Sequence, residues 1–367
     1  MTTRLHVLLG QGGVGKTTLA SAAALALARR GRKVGLLGVD PSGRLRDALG
    51  MAELAEHPVD VPGAPRLRAA LLRPGDSLRR WAAVELGADE ARLQRSGPRP
   101  APVEGEARSL QCSGLENPFF LALADRLAAA TDAFAAVRVA EWAEKDPDLD
   151  DLVVDTAPGL NGLEFLRKPE RLLSVLHGRI LRWLSNAATA ASTEREARRV
   201  LRGLSRITGG GVLLELAEFS LLMERIGAAM IGRLERASSW LRDESTEMLL
   251  ICVARPGAAA GTRLLVSELD ALGFEQGRVV LNRALPRGLA TIPLEGGGEE
   301  SRAFRRYVRA SARLQAEAER ELEASFRVVE APIAAGLGAA GPAHLAALEA
   351  LGENLLGALA GSPPRTA

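Results

Sequence analysis

The sequence predicts an α/β protein, a parallel β-sheet flanked by helices with an α-helical subdomain inserted into it. Three observations carry that prediction. Short apolar runs followed by helical patterns recur at both ends of the chain, as expected of βα units on a parallel sheet. Two long helical stretches separate these runs. A glycine-rich segment joins the first run to the first helix. The chain has 367 residues, enough for about two domains at ~150 residues each. Predicted strands are Leu5–Leu9, Val34–Val39, Arg66–Leu72, Leu152–Asp155, Leu249–Ala254, Val279–Asn282 and Phe326–Glu330, with helices at Lys16–Arg29 and Pro342–Leu359. One helical stretch covers 77–145 with a loop at 96–105. The other covers 163–242, broken near Gly209-Gly210-Gly211, and Thr193 with Glu196 reads as a capping box inside it. The expected division is an α/β domain of 1–76, 146–162 and 245–367, and a helical subdomain of 77–145 and 163–244.

Composition excludes several classes. Hydrophobic residues at 47% and charged residues at 25% are those of a chain that buries a large core, not of a disordered or fibrous one. The net charge of +2 gives too weak a field for nucleic acid to be an expected partner. Four lysines stand against 43 arginines, so arginine-rich stretches carry little functional information. The two cysteines, Cys112 and Cys252, form neither a disulfide framework nor a C-x-x-C pair. No leader or uninterrupted apolar span is evident, because Val212–Ile231 contains Glu215, Glu218, Glu224 and Arg225. The expected location is cytoplasmic.

The strongest local signal is Gly10-Gln11-Gly12-Gly13-Val14-Gly15-Lys16-Thr17, followed by Thr18. It satisfies G-x-x-x-x-G-K-[ST] between a strand and a helix. Glycines let successive N–H groups turn inward as an anion nest, and the helix start adds its positive dipole end. Lys16 is expected on the β and γ phosphates and the Thr17 hydroxyl on Mg²⁺. After the second strand, Asp40 and Pro41 stand where a carboxylate would orient or deprotonate an attacking water. Asp155 ends another apolar strand, the position of an aspartate that supports Mg²⁺ through water, and Gly159 follows in a loop suited to sensing the γ-phosphate.

These segments, in this order, resemble the ArsA-like family: G-x-G-G-V-G-K-T-T, D-P-x-x-x-L-x-D-A and D-T-A-P-x-x-x-x-L-x-F-L-x-x-P. That family includes the arsenite-pump ATPase and the guided-entry ATPases for tail-anchored proteins, and it groups with MinD and ParA. The resemblance implies a P-loop NTPase fold of the SIMIBI type and a dimer that sandwiches ATP and Mg²⁺ at its interface. It also implies helical subdomains moved by hydrolysis and a hydrophobic or membrane-protein client that brings peripheral membrane association. Asn282 and Arg283 are similar to the family's adenine-reading pair, and Pro332 to its nucleotide-side proline loop.

The chain departs from the family in three places. Gln11 stands where such members carry a signature lysine that reaches across the dimer. This points either to a heterodimer with a paralogue that supplies the lysine or to a slow, switch-like subunit. Gly159-Leu160-Asn161-Gly162 replaces the more usual Thr-Gly-His-Thr. Two cysteines fall short of the about three thiolates arsenite needs, and the C-x-x-C of the guided-entry zinc clasp is missing. In the helical stretches, Leu216, Phe219, Met223, Ile226 and Met230 recur at helical steps and read as the subdomain's own core rather than a client groove. The arginine rows Arg195–Arg206 and Arg302–Arg313 read as solvated faces. His6, His57, His177 and His344 show neither metal nor triad spacing.

Overall fold

A computed structural model describes residues 3–39, 42–72, 82, 83, 85, 117, 118, 120, 121, 131–176, 210–274, 277–286, 288, 289, 298–334, 336, 337 and 342–361. The described strands are β1 (Arg4–Gly10), β2 (Val34–Gly38), β3 (Val59–Asp60), β4 (Leu67–Leu71), β5 (Asp151–Asp155), β6 (Thr246–Val253), β7 (Arg278–Ala284) and β8 (Val328–Pro332). The principal helices are α1 (Lys16–Arg29), α2 (Arg44–Ala48), α3 (Thr131–Lys145), α4 (Asn161–Leu176), α5 (Gly210–Leu241), α6 (Ala258–Ala271), α7 (Glu299–Glu323) and α8 (Pro342–Ala360).

All eight strands form one sheet in the order β3-β4-β2-β5-β1-β6-β7-β8. Every pairing is parallel except β3 with β4. β2 and β5 are buried along their whole length, which is why they read as continuous apolar runs rather than alternating ones. β3 escapes a sequence reading because two residues carry no period. Several strand boundaries differ from the expected ones by one to three residues, two of them for visible local reasons. Arg66 adopts a left-handed φ of 72° in the turn that precedes β4, so the strand starts one residue later. The Phe326 N–H donates to the Leu322 carbonyl at 2.7 Å, which holds Phe326 in the turn that follows α7, and β8 starts at Val328.

The chain divides into two compact units. The first comprises 1–72, 143–164 and 240–367 and contains the sheet. Its core joins alanines and leucines of α1 with Leu348, Leu351, Leu355 and Leu359 of α8, over Leu36, Val153, Ile251 and Val280 of the sheet. The α1–α8 crossing is close enough that a Cβ on Gly352 would lie 2.0 Å from the Ala22 carbonyl oxygen. Only a residue without a side chain fits there.

The second unit comprises 73–142 and 165–239, and its described residues other than Asn117 are helical. Phe219, Ile226 and Met230 are buried, along with Leu222 and Leu234 on the same helix. The core reading of that stripe therefore holds for its described side chains. Arg233 pairs with Glu85, and Arg138 with Glu141. The capping box at Thr193, the arginine row 195–206, Cys112 and the loop 96–105 lie outside the described residues. In α7, Arg302, Arg306, Arg309 and Arg313 are exposed and Arg305 is partly so.

At the amino edge of the sheet, His6 on β1 lies between Asp151 of β5 (Nε2 to Oδ1, 3.0 Å) and Glu247 of β6 (Nδ1 to Oε2, 3.3 Å). Arg32 pairs with Asp151, and Arg278 stands 3.6 Å from Glu247. Burial alone would lower the His6 pKa. Hydrogen bonds that His6 donates to both carboxylates, and the carboxylates' charge, outweigh it and raise the pKa to about 9.

Candidate functional site

Parallel pairing brings the C-terminal ends of the central strands to one edge, the general binding edge of open α/β sheets. β1 lies between β5 and β6, with Leu8 opposite Asp155 and Gly10 opposite Ile251. The segment that follows β1 therefore leaves the middle of that edge.

Residues 10–15 turn tightly from β1 into α1. Gly13 (φ 76°) and Gly15 (φ 89°) are left-handed, a conformation other residues adopt at a cost of about 1 kcal/mol or more. A Cβ on Gly10 would meet the Ile251 carbonyl oxygen at 2.3 Å, so this glycine is required by the neighbouring strand. α1 opens without a side-chain cap and without an acidic residue in its first turn. Its first N–H groups thus remain as donors for an anion. The buried Lys16 folds over the loop, donating from Nζ to the carbonyls of Gly10 (2.9 Å) and Gln11 (3.2 Å). Thr17 and Thr18 follow in the first turn, both half-buried.

Asp155, 2% exposed, ends β5 in register with both Leu8 and Gly38. The Val39 N–H donates to its carbonyl at 2.9 Å. Asp40 and Pro41 lie outside the described residues. Beyond β5, the Thr156 hydroxyl donates to the Leu8 carbonyl at 2.6 Å. Gly159, with a left-handed φ of 64°, donates its N–H to the Gly10 carbonyl at 2.8 Å. Gln11 packs within its own chain between Gly159 and Gly261. A Cβ on Gly159 would stand 3.4 Å from Gln11 Oε1, and one on Gly261 3.6 Å from Gln11 Nε2.

A cavity of about 430 Å³ opens beside the start of α1. Gly15, Thr18, Asn282, Arg283, Pro332 and His344 are among the residues that line it. The β7–β8 register shifts between Asn282 and Ala284, and Arg283 is left-handed (φ 59°) and exposed at that irregularity. His344 of α8 bonds through Nε2 to the Ala48 carbonyl at 2.8 Å. Its place on the cavity was not readable from the sequence, since the histidine lies 296 residues from its partner. Asn282 is 5% exposed and has both ends of its amide engaged. Nδ2 donates to the Val14 carbonyl and Oδ1 accepts from the Arg283 N–H, each at 2.8 Å.

The described residues thus collect a nest of main-chain donors, one ammonium, two hydroxyls and a buried carboxylate at one end of the sheet. The donor set fits a phosphate chain, and hydroxyl with carboxylate oxygen suits a hard divalent cation such as Mg²⁺. The family model described as anion-transporting ATPase, ArsA_ATPase, matches residues 3–292. The chain belongs to the ArsA ATPase family.

Relatives of this ArsA family member have similar sequences over most of its length. An uncharacterized protein of Streptomyces coelicolor is 30% identical over 286 residues, 77% of this chain, and the match spans 63% of that relative's own length. The ATPase GET3 of Malassezia globosa is 25% identical over 277 residues, covering 75% of this chain and 71% of the relative. The ATPase GET3 of Chaetomium globosum is 23% identical over 325 residues, covering 88% and 83%. Membership in the ArsA family makes nucleotide the expected ligand of this edge. Among the described residues, no helix is long and apolar enough to cross a membrane.

Proposed function

We propose that this ArsA family chain is a Mg²⁺-dependent ATPase acting as one half of a dimer. It hydrolyses ATP to ADP and phosphate and couples this to movement of its helical unit around a protein client. The observation that supports this most is the turn at 10–15, with its left-handed Gly13 and Gly15 and the Lys16 ammonium folded over it. The amides from Gly10 through Thr18 bind the β and γ phosphates, and Lys16 stabilises the charge that develops on the transferred group. Thr17, with Asp155 through water, holds Mg²⁺, which when bound offsets phosphate charge. Asp40 orients the attacking water, and Pro41 and Gly159 carry the phosphate state outward. Asn282, Arg283 and Pro332 border the nucleoside. A cytoplasmic location, with membrane association through a hydrophobic client, belongs to the same reading.

A second reading is favoured by Gln11. A glutamine donates a hydrogen bond but brings no charge to a neighbouring active site, and here it packs against Gly159 and Gly261 of its own chain. The chain would then be the lysine-lacking subunit of a heterodimer, or a nucleotide-gated switch with little turnover. Phosphate release, measured with and without an ArsA-like paralogue from the same organism, separates the two. Turnover by the chain alone supports the first reading. Turnover only in the mixture supports the heterodimer. Tight ATP binding with no turnover in either supports the switch, and failure to bind ATP overturns all three.

A further inference from the structure

The first half of α7 presents two adjacent rows of side chains outward. Val308, Gln315, Ala318 and Leu322 are its buried residues. The Leu285 N–H donates to Gln315 Oε1 at 2.7 Å, so the inner face of the helix is anchored to the segment after β7. Away from that face, Arg302, Arg306, Arg309 and Arg313 recur at helical steps and are all exposed. Beside them Ala303, Tyr307, Ala310 and Leu314 repeat the same steps as a second row. Tyr307 is 66% exposed and Leu314 36%, and Phe304, flanking the apolar row, is 50% exposed.

The chain's preference for arginine explains why these cations are not lysines, but not where they stand. From Arg302 to Leu314 the helix runs about 20 Å with five arginines and no acidic residue, whereas Glu317, Glu319, Glu321 and Glu323 all come after it. Among the described residues, none forms an ion pair with Arg306, Arg309 or Arg313. A row of guanidinium groups beside exposed tyrosine, phenylalanine and leucine matches the boundary between lipid headgroups and acyl chains. Arginine bonds phosphate oxygens in pairs, an aromatic ring with a polar tip settles at headgroup depth, and leucine reaches the acyl edge. A nucleic acid would engage the arginines and leave Leu314 in water. We propose that this face of α7 docks on an anionic lipid surface, lying along it as a peripheral contact. The contact is separate from the nucleotide site and from any client, and its test needs neither.

The whole chain is co-sedimented, without nucleotide, with vesicles of phosphatidylcholine alone or of phosphatidylcholine and phosphatidylglycerol in equal parts. Expected is binding to the mixed vesicles, at least about tenfold weaker on the neutral ones and weakened by raised salt. The triple variant Arg306→Gln, Arg309→Gln, Arg313→Gln should lose about a hundredfold, at about fivefold for each cation near an anionic surface. Tyr307→Ser should lose about fivefold through its apolar contact. Arg320→Gln, about 10 Å further along the helix than Arg313, should stay within about twofold of wild type. All of these side chains are exposed, so the variants should keep the wild-type thermal midpoint. No sedimentation with mixed vesicles, equal binding to neutral ones, or a triple variant that binds as well as wild type would each overturn the proposal. So would a wild type that ignores vesicles but binds RNA or an acidic protein through the same arginines, which would assign this face to that partner instead.

Discussion

The N–H of Gly159 donates to the carbonyl of Gly10 at 2.8 Å, and the same carbonyl accepts from Lys16 Nζ at 2.9 Å. One oxygen thus joins the segment after β5, the first residue of the glycine-rich turn and the lysine of α1. Any ligand that draws Lys16 forward changes the environment of the group that holds Gly159. Under the proposed function this is the physical route by which the loop after β5 senses bound phosphate, although its sequence departs from the family's usual one.

Gly159→Ala tests that linkage. The left-handed φ of 64° should cost about 1 kcal/mol in an alanine variant, read as a lowered urea midpoint. A midpoint equal to wild type would show that the segment relaxes freely and is not held by Gly10.

Gln11→Lys should raise phosphate release from a homodimer by about tenfold or more, with ATP affinity within about twofold, because a charge acting across subunits stabilises the transition state selectively. Small and equal changes in turnover and affinity would count against a cross-subunit role. Gln11 would then matter only for its packing against Gly159 and Gly261.

The α1–α8 crossing predicts an intolerant glycine. In Gly352→Ala the new methyl would stand 2.0 Å from the Ala22 carbonyl oxygen and 2.8 Å from the Ala26 Cβ. Overpacking of this kind costs about 1–3 kcal/mol, so chemical denaturation should show a loss of about 2 kcal/mol. Gly357→Ala, where nothing lies within 4 Å of a new Cβ, serves as the control and should be neutral or slightly stabilising.

His6 predicts a pH dependence at the opposite edge of the sheet. Its pKa is raised from 6.5 to about 9 in the folded chain, so the folded state holds the proton more tightly than the unfolded one. The resulting stability is fully present below the unfolded value and is lost as pH rises through about 9. On the acid side, hydrogen bonds from His6 and Arg32 overcome the burial that would raise the Asp151 pKa and hold it below its usual value. That contribution is lost as pH falls through the folded pKa. Denaturation midpoints across alkaline pH should fall for wild type and fall less for His6→Gln. Identical profiles would remove His6 from the account.

Much of this was legible in the sequence where neighbours along the chain decide the structure. The limits of α1 at Lys16 and Arg29 follow from the loop motif and the run of good helix formers. β5 and the start of α8 follow from an apolar run and from Pro342, a residue suited to a first helical position. What escaped depends on distant partners. His6 reads as isolated until Asp151 and Glu247 arrive from other strands, 145 and 241 residues away. The bond from Asn282 to the Val14 carbonyl likewise joins residues 268 apart. No local pattern records such contacts.

A crystal structure of the chain with Mg²⁺ and a non-hydrolysable ATP analogue tests the central claim most directly. The expected result is a triphosphate lying on the amides of Gly12 through Thr17, Lys16 drawn onto it, and the nucleoside in the cavity beside Pro332 and His344. A nucleotide bound elsewhere, with the turn between β1 and α1 left empty, would contradict the account.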